Sequence, residues 1–311
     1  MAAHAPYIGN GHYCYANATA MLLASAGQRV APELVEVLSG VGLGATWLTG
    51  PQLLFFGLGA PDRGISQALT LLGFEVDERA GEDGDEPPFG ELAEALALGP
   101  AVLGPLDIGL LNCTPGHGRA NGADHFVLAY GLDEAEVHLH DPAGYPYISI
   151  PRANLGAAWR AERVGYRRGA YRWWTAPRRV RHPSGDVLVR EAVQAFRDLY
   201  RQSEAHASPG VLTGNPAIRR LASCAGEGSL PPQLAGFMVG FLFQLAARRA
   251  LDYASFFEQR YPDLAEAKRE QAILFGRCHT LAARRDYAGL AGKLNRLAEV
   301  EERFRTTLLG A

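Results

Sequence analysis

Three residues of this chain have the types and the order needed for nucleophilic acyl chemistry: Cys14, His125 and Asp141. A nucleophilic cysteine requires conditions that favour the thiolate, a base within reach and a donor for the oxyanion. Cys14 stands just before NATAMLLASA, the compact apolar run from Asn17 to Ala26, which predicts a helix. Backbone N–H groups and the dipole at a helix N-terminus favour a thiolate. Those N–H groups, that of Tyr15 among them, can also receive an oxyanion. The competing reading is a small buried core thiol, the usual fate of a free cysteine. His125 opens the strand pattern HFVLAYG, and Asp141 closes EVHLHD after the turn Leu132-Asp133-Glu134. In a hairpin the start of one strand lies beside the end of the next, so a carboxylate could hold the imidazole in one tautomer. Against this stands a satisfied strand histidine and a turn aspartate before Pro142.

A metal site has candidate ligands in number, His12, His125, His138, His140 and Asp141, with His138 and His140 on one strand face. No local pair has a known ligand spacing, so no metal is expected. Exposed strand positions account for His138 and His140, and His117, in the loop PGHGRANGAD, is expected in solvent.

The elements that must position these residues follow from pattern. At 311 residues the chain exceeds the usual size of one domain. Its 48% hydrophobic content excludes a disordered chain, and its net charge of −3 excludes a basic nucleic-acid footprint. The start MAAHAPYIGNGHYCYAN lacks the basic and apolar regions of a secretory signal. Leu234 to Ala247, interrupted by Gln244, reads as a buried helix too short to span a bilayer, so no membrane partner is expected. Cys14, Cys113, Cys224 and Cys278 are scattered without a CxxC pair, which fits free thiols in a reducing cytoplasm.

The first half mixes helix and strand patterns. The stretch 40–64 is Gly-rich and must turn, Ile65 to Leu72 and Phe89 to Leu98 read as helices, and Gly81 to Pro88 reads as an acidic surface loop. Pro100 to Leu106, His125 to Gly131, Glu136 to His140 and Tyr145 to Ile150 read as strands, and Tyr171 to Thr175 could close the sheet. Ala176 to Asp186 is basic and proline-containing and suits a linker. Beyond it the apolar spacing is helical: Leu188, Ala192, Phe196 and Leu199; Leu234, Phe237, Phe241 and Leu245; Leu290, Leu294, Leu297, Phe304 and Leu308. The expectation is an α+β domain over 1–176 followed by an all-helical domain over 187–311.

The order of a cysteine before a helix, a histidine on a strand and an aspartate ending the next strand resembles the papain-like cysteine proteases, the double-glycine peptidase branch in particular. The segments resemble still more the butirosin biosynthesis protein H family of acyltransferases. HYCYANATAMLLASAG matches its nucleophile segment, GVGLGATWLTGPQLLFFGLGAP its Gly-rich motif, PAVLGPLDIGLL its central strand and HFVLAYGLDEAEVHLHDP its catalytic hairpin. GNPAIRRLA and RRALDYASFFEQ extend the likeness through the helical half.

This resemblance implies a papain-like fold with an antiparallel sheet. It implies Cys14 as nucleophile, His125 as base and Asp141 as the orienting carboxylate. Asp107 matches an acidic position after the central strand, where it either binds an amine or caps the loop. Papain-like peptidases carry a glutamine before the cysteine as oxyanion donor; none is present here, and Asn10 is the candidate amide in its place. The implied reaction moves an acyl or aminoacyl group from an acyl carrier protein thioester, held on phosphopantetheine, to a small-molecule amine through a Cys14 acyl-enzyme, with no cofactor. Arg248, Arg249 and Tyr253 are candidate lining residues if the helical domain covers the cleft, with a solvated helix face as the alternative. A cysteine peptidase or amide hydrolase is the runner-up, and a non-catalytic scaffold the third reading.

Overall fold

The computed structural model describes residues 5–9, 11–205 and 208–310; Asn10 lies outside the described residues. In chain order the elements are α1 (Cys14–Ser25), α2 (Pro32–Ser39), β1 (Thr46–Leu48), β2 (Leu53–Phe55), α3 (Pro61–Leu72), β3 (Phe74–Gly81), α4 (Phe89–Leu98), β4 (Ala101–Asp107), β5 (Asp124–Leu132), β6 (Glu136–Asp141), β7 (Tyr145–Pro151), α5 (Arg152–Arg160) and β8 (Ala170–Arg179). Then follow α6 (Gly185–Ala205), β9 (Val211–Thr213), α7 (Asn215–Gly226), α8 (Pro232–Phe237), α9 (Phe243–Phe257), α10 (Pro262–Ala283) and α11 (Tyr287–Gly310). The architecture is α+β with antiparallel sheets and a mainly helical C-terminal region.

The chain forms two compact units. The first comprises residues 1–36 and 60–183, the second 37–59 and 184–311. The expected boundaries, 1–176 and 187–311, therefore need two corrections. The strand β8 runs on to Arg179, because Arg178 and Arg179 pair with Glu75 and Phe74 of β3, so only the last part of the expected linker is free of sheet. The Gly-rich segment 37–59 belongs to the second unit. Its hairpin β1–β2 pairs with β9 in a three-stranded sheet, Trp47 opposite Leu54 on one side and Leu212 on the other. The second unit is thus not all helical. Backbone pairing across more than 150 residues of sequence has no local signature, which is why pattern alone missed it.

The first unit is built on a six-stranded antiparallel sheet in the order β3-β8-β4-β5-β6-β7. One core layer gathers Leu103, Val127, Leu139, Ile150, Trp159 and Trp173. Helix α1 packs on β4 and β5. Residues Tyr15 to Leu23 of α1 are all buried, as expected of a helix that is apolar around most of its circumference. Gly104 makes this packing possible: a Cβ there would stand 2.3 Å from the Phe126 ring, which meets the Tyr15 ring edge-on at 6.0 Å. Near α3 a charged cluster locks the flank of the sheet. Arg168 bonds Asp62 at 2.8 Å and Glu78 at 3.0 Å, and Ser66 donates to Glu78 at 2.6 Å.

In the second unit α9, α10, α11 and α7 pack in succession. The stripe Leu290, Leu294, Leu297, Phe304 and Leu308 is buried. The stripe through α8 and α9 departs from expectation. A π-helical turn at Met238–Leu242 inserts an extra residue and rotates the buried face. Met238 and Leu242 turn inward and Phe241 is left 41% exposed. The continuous helix Pro232–Phe257 is long and apolar enough by length and composition to cross a membrane, as core helices of soluble proteins can be, and 39% of its apolar window is buried. The expected fully buried helix ending at Ala247 is corrected in both length and burial.

Candidate active site

Cys14 is the first residue of α1, not a residue before it. Tyr13 precedes it in the left-handed region at φ 59°, ψ 46°, a conformation that costs a non-glycine residue about 1–3 kcal/mol. Asn17, one turn on and fully buried, offsets this cost: its Nδ2 donates to the carbonyls of His12 at 2.5 Å and Tyr13 at 3.0 Å. The turn so held aims the start of the helix, with the half-buried Cys14 side chain, at the sheet.

His125 is the second residue of β5 and Asp141 the last of β6. The antiparallel register, Leu128 opposite His140, brings the two together. His125 Nε2 lies 2.9 Å from Asp141 Oδ1, with His125 5% exposed and Asp141 fully buried. The same carboxylate oxygen accepts from Ala143 N at 2.8 Å, and the Tyr7 hydroxyl donates to the Asp141 carbonyl at 3.0 Å. The Cys14 thiol is hydrogen-bonded to His125. Asp141 occupies Nε2, so Nδ1 is the ring nitrogen not engaged by the carboxylate. Burial disfavours the charged imidazole, but hydrogen bonds and charge from Asp141 and Cys14 outweigh it and raise the His125 pKa to about 10. The two partners thus favour the charged form of the ring.

Other expected residues fall elsewhere. Asp107 is 1% exposed, and its Oδ1 accepts from Gly109 N at 3.0 Å and Gly122 N at 2.9 Å. Through Oδ1 it caps the loop after β4, the second of the two roles expected for it, while its Oδ2 is buried without a hydrogen-bond partner. Tyr253 belongs to the second unit and has no exposed surface. Its hydroxyl donates to Val37 O at 3.1 Å and its ring stacks on Phe257, which makes it a core residue and corrects its assignment as a lining residue. Arg249, also in the second unit, is half-buried along the 42–57 segment, with Nη1 donating to Phe56 O at 3.4 Å. Tyr15 has a buried side chain, and its backbone N–H stands in the first turn of α1.

His140 is committed to structure: Nε2 donates to Ala5 O at 3.0 Å and Nδ1 accepts from Tyr147 N at 3.1 Å. His138 pairs with Asp133 at 3.4 Å. Among the described residues no group of three His, Cys, Asp or Glu side chains is placed to hold a metal ion.

Two neighbours were missed. The Tyr166 hydroxyl donates to Asp124 Oδ2 at 2.7 Å. Burial, the Asp124 carboxylate and the Cys14 sulfur all push the Tyr166 pKa well upward, which keeps the phenol protonated near Cys14. Cys113 is half-buried, and burial and then the Asp141 charge raise its pKa, so it is a poorer thiolate at this end of the sheet. Tyr166 sits in the irregular loop between α5 and β8, where no periodicity marks it; Asp124, adjacent to His125, was the available clue.

A family model described as the YobF C-terminal domain matches residues 207–309. An uncharacterized protein, YobF of Bacillus subtilis (strain 168), is 40% identical over 303 residues, 97% of this chain and 98% of its own length.

Proposed function

The chain belongs to the YobF family, and we propose that it is a cysteine-dependent acyltransferase with a papain-like catalytic unit. The observation that carries this reading is one arrangement: a half-buried thiol on the first residue of a helix, hydrogen-bonded to an imidazole whose far nitrogen is held 2.9 Å from a buried carboxylate. A structural thiol needs neither partner. Cys14 sulfur attacks the carbonyl of an acyl thioester on a carrier protein, forming a new S–C bond. The tetrahedral oxyanion is met by amides of the first turn of α1. Collapse expels the carrier thiolate, which takes a proton from His125 and leaves the acyl group on Cys14. An amine acceptor then attacks the acyl carbon and gives its proton to His125; the N–C bond forms, the Cys14 S–C bond breaks, and the proton on His125 restores the starting state. Asp141 keeps the imidazole in the tautomer and orientation that both transfers need.

The experiment is intact mass spectrometry of the full chain after incubation with a panel of acyl-carrier thioesters. An adduct of acyl mass on Cys14, absent in Cys14→Ala and discharged by an amine, is expected. Discharge by water alone, with an amine giving no product, would make the protein a hydrolase. No adduct from any thioester and no cleavage of peptide substrates would remove the catalytic reading.

A further inference from the structure

Lys268 is an unusual residue for its place. Of the 30 lysines and arginines in the chain, only Lys268 and Lys293 are lysines. Lys268 is 2% exposed in the interior of the second unit. Among the described residues no hydrogen-bond acceptor reaches its ammonium. The group instead lies 4.0 Å from the centre of the Phe304 ring and 5.3 Å from that of Tyr253. Cation–π contacts lower the cost of burial but satisfy none of three N–H donors. One turn along α10, Gln271 Nε2 donates to Glu301 Oε2 at 2.7 Å, and the Tyr200 hydroxyl donates to Glu301 Oε1 at 2.6 Å. Lys268, Gln271 and Glu301 all line one cavity, with side chains such as Phe56, Ile218, Phe275 and Leu297 making up the rest of its wall. It gives room of about 10 Å³ for the centre of a water molecule.

That room is about the minimum for one water, and a water is stable in a cavity where it finds two or more polar partners. A dry apolar void would have no such partners. A halide would face the Glu301 carboxylate, and a metal cation would face the Lys268 ammonium. We infer that the cavity is a binding site for a single internal water, which accepts from Lys268 and donates to Glu301 and the Gln271 carbonyl. The water makes Lys268 and Glu301 a separated ion pair inside one hydrogen-bonded group with Gln271 and Tyr200. Groups facing this centre are Glu301 on α11, Tyr253 on α9 and Tyr200 on α6, with Arg305 close to Tyr200. Burial carries the Lys268 pKa down to about 8, with Glu301 opposing, as expected of an ammonium solvated by one water and not by bulk.

The scarcity of lysine makes the test direct. The full chain labelled with ¹³C and ¹⁵N in lysine gives two side-chain signals, and Lys293→Arg assigns them. Lys268 is expected to titrate near pH 8, well below an ordinary lysine, and its ammonium protons are expected to show cross-relaxation with one long-lived water at pH 7. Titration of Lys268 at the ordinary lysine value, or slowly exchanging Lys268 protons with no water contact, would overturn the site. Because the measurement is made on the native chain, a misfolded variant cannot decide it.

Discussion

At the scale of single residues, the most informative group is His125. Its partner Asp141 is buried, and of the two carboxylate oxygens only Oδ1 is hydrogen-bonded, to His125 and to Ala143 N. Asp141→Asn keeps the side chain's size and an acceptor for Ala143 N, so the chain should still fold, but it removes the charge that favours the imidazolium and the stability linked to it. Acylation of Cys14 by a thioester donor is expected to slow by roughly 10³–10⁴-fold, by analogy with the loss of tautomer control in a serine triad, with circular dichroism unchanged. An Asp141→Asn protein that acylates at the wild-type rate would show that the carboxylate is structural. Tyr166 is of a different kind: its hydroxyl anchors Asp124, next to the base, and its proton stays in place because the phenol titrates far above neutrality.

At the scale of elements, the start of α1 is a strained turn held by a side chain. Tyr13 sits at positive φ, and Asn17 bonds the two carbonyls that precede Cys14. Asn17→Ala removes both bonds from a buried position and is expected to cost about 1–3 kcal/mol of stability. The same change should lower the rate of Cys14 alkylation by iodoacetamide, because Tyr13 can relax out of the left-handed region and the thiol moves from His125. Equal alkylation rates in the two proteins, read by peptide mapping to exclude Cys113, would separate the strained turn from the nucleophile. The π-helical turn at Met238–Leu242 shows the converse case, in which one inserted residue changes which aromatic rings an element buries.

At the scale of the whole molecule, the two units should respond to alkali in opposite directions. In the first unit the His125 pKa is raised from 6.5 to about 10, so the folded state holds the extra proton between these values. The stabilisation it contributes is full below pH 6.5 and is lost as pH rises through 10. In the second unit the Lys268 pKa is lowered from 10.5 to about 8, so the unfolded chain holds the extra proton between pH 8 and 10.5. Below pH 8 this burial costs about 3 kcal/mol, and the cost is relieved as pH rises toward 10.5. Hydrogen exchange from pH 7 to pH 10, corrected for intrinsic rates, should show protection falling in α1, β5 and β6 and rising in α10 and α11. Parallel changes in both units would contradict the opposed shifts.

The sequence by itself determined the parts whose partners are near in the chain or whose pattern is periodic. The hairpin pairing of HFVLAYG with EVHLHD brought His125 and Asp141 to one end of the sheet because antiparallel register joins a strand's start to its neighbour's finish. The stripe from Leu290 to Leu308 was legible because helical spacing leaves one apolar face that must be buried. Tertiary structure alone decided the rest. Residues 37–59 joined the second unit because β1 finds its partner β9 far along the chain. Asp107 became a loop cap and Tyr253 a core residue because burial and the nearest backbone donors and acceptors, not residue type, set what each group can reach. The approach of Cys14 to His125, more than a hundred residues apart, depended on packing α1 against β5, which neither segment's own pattern encodes.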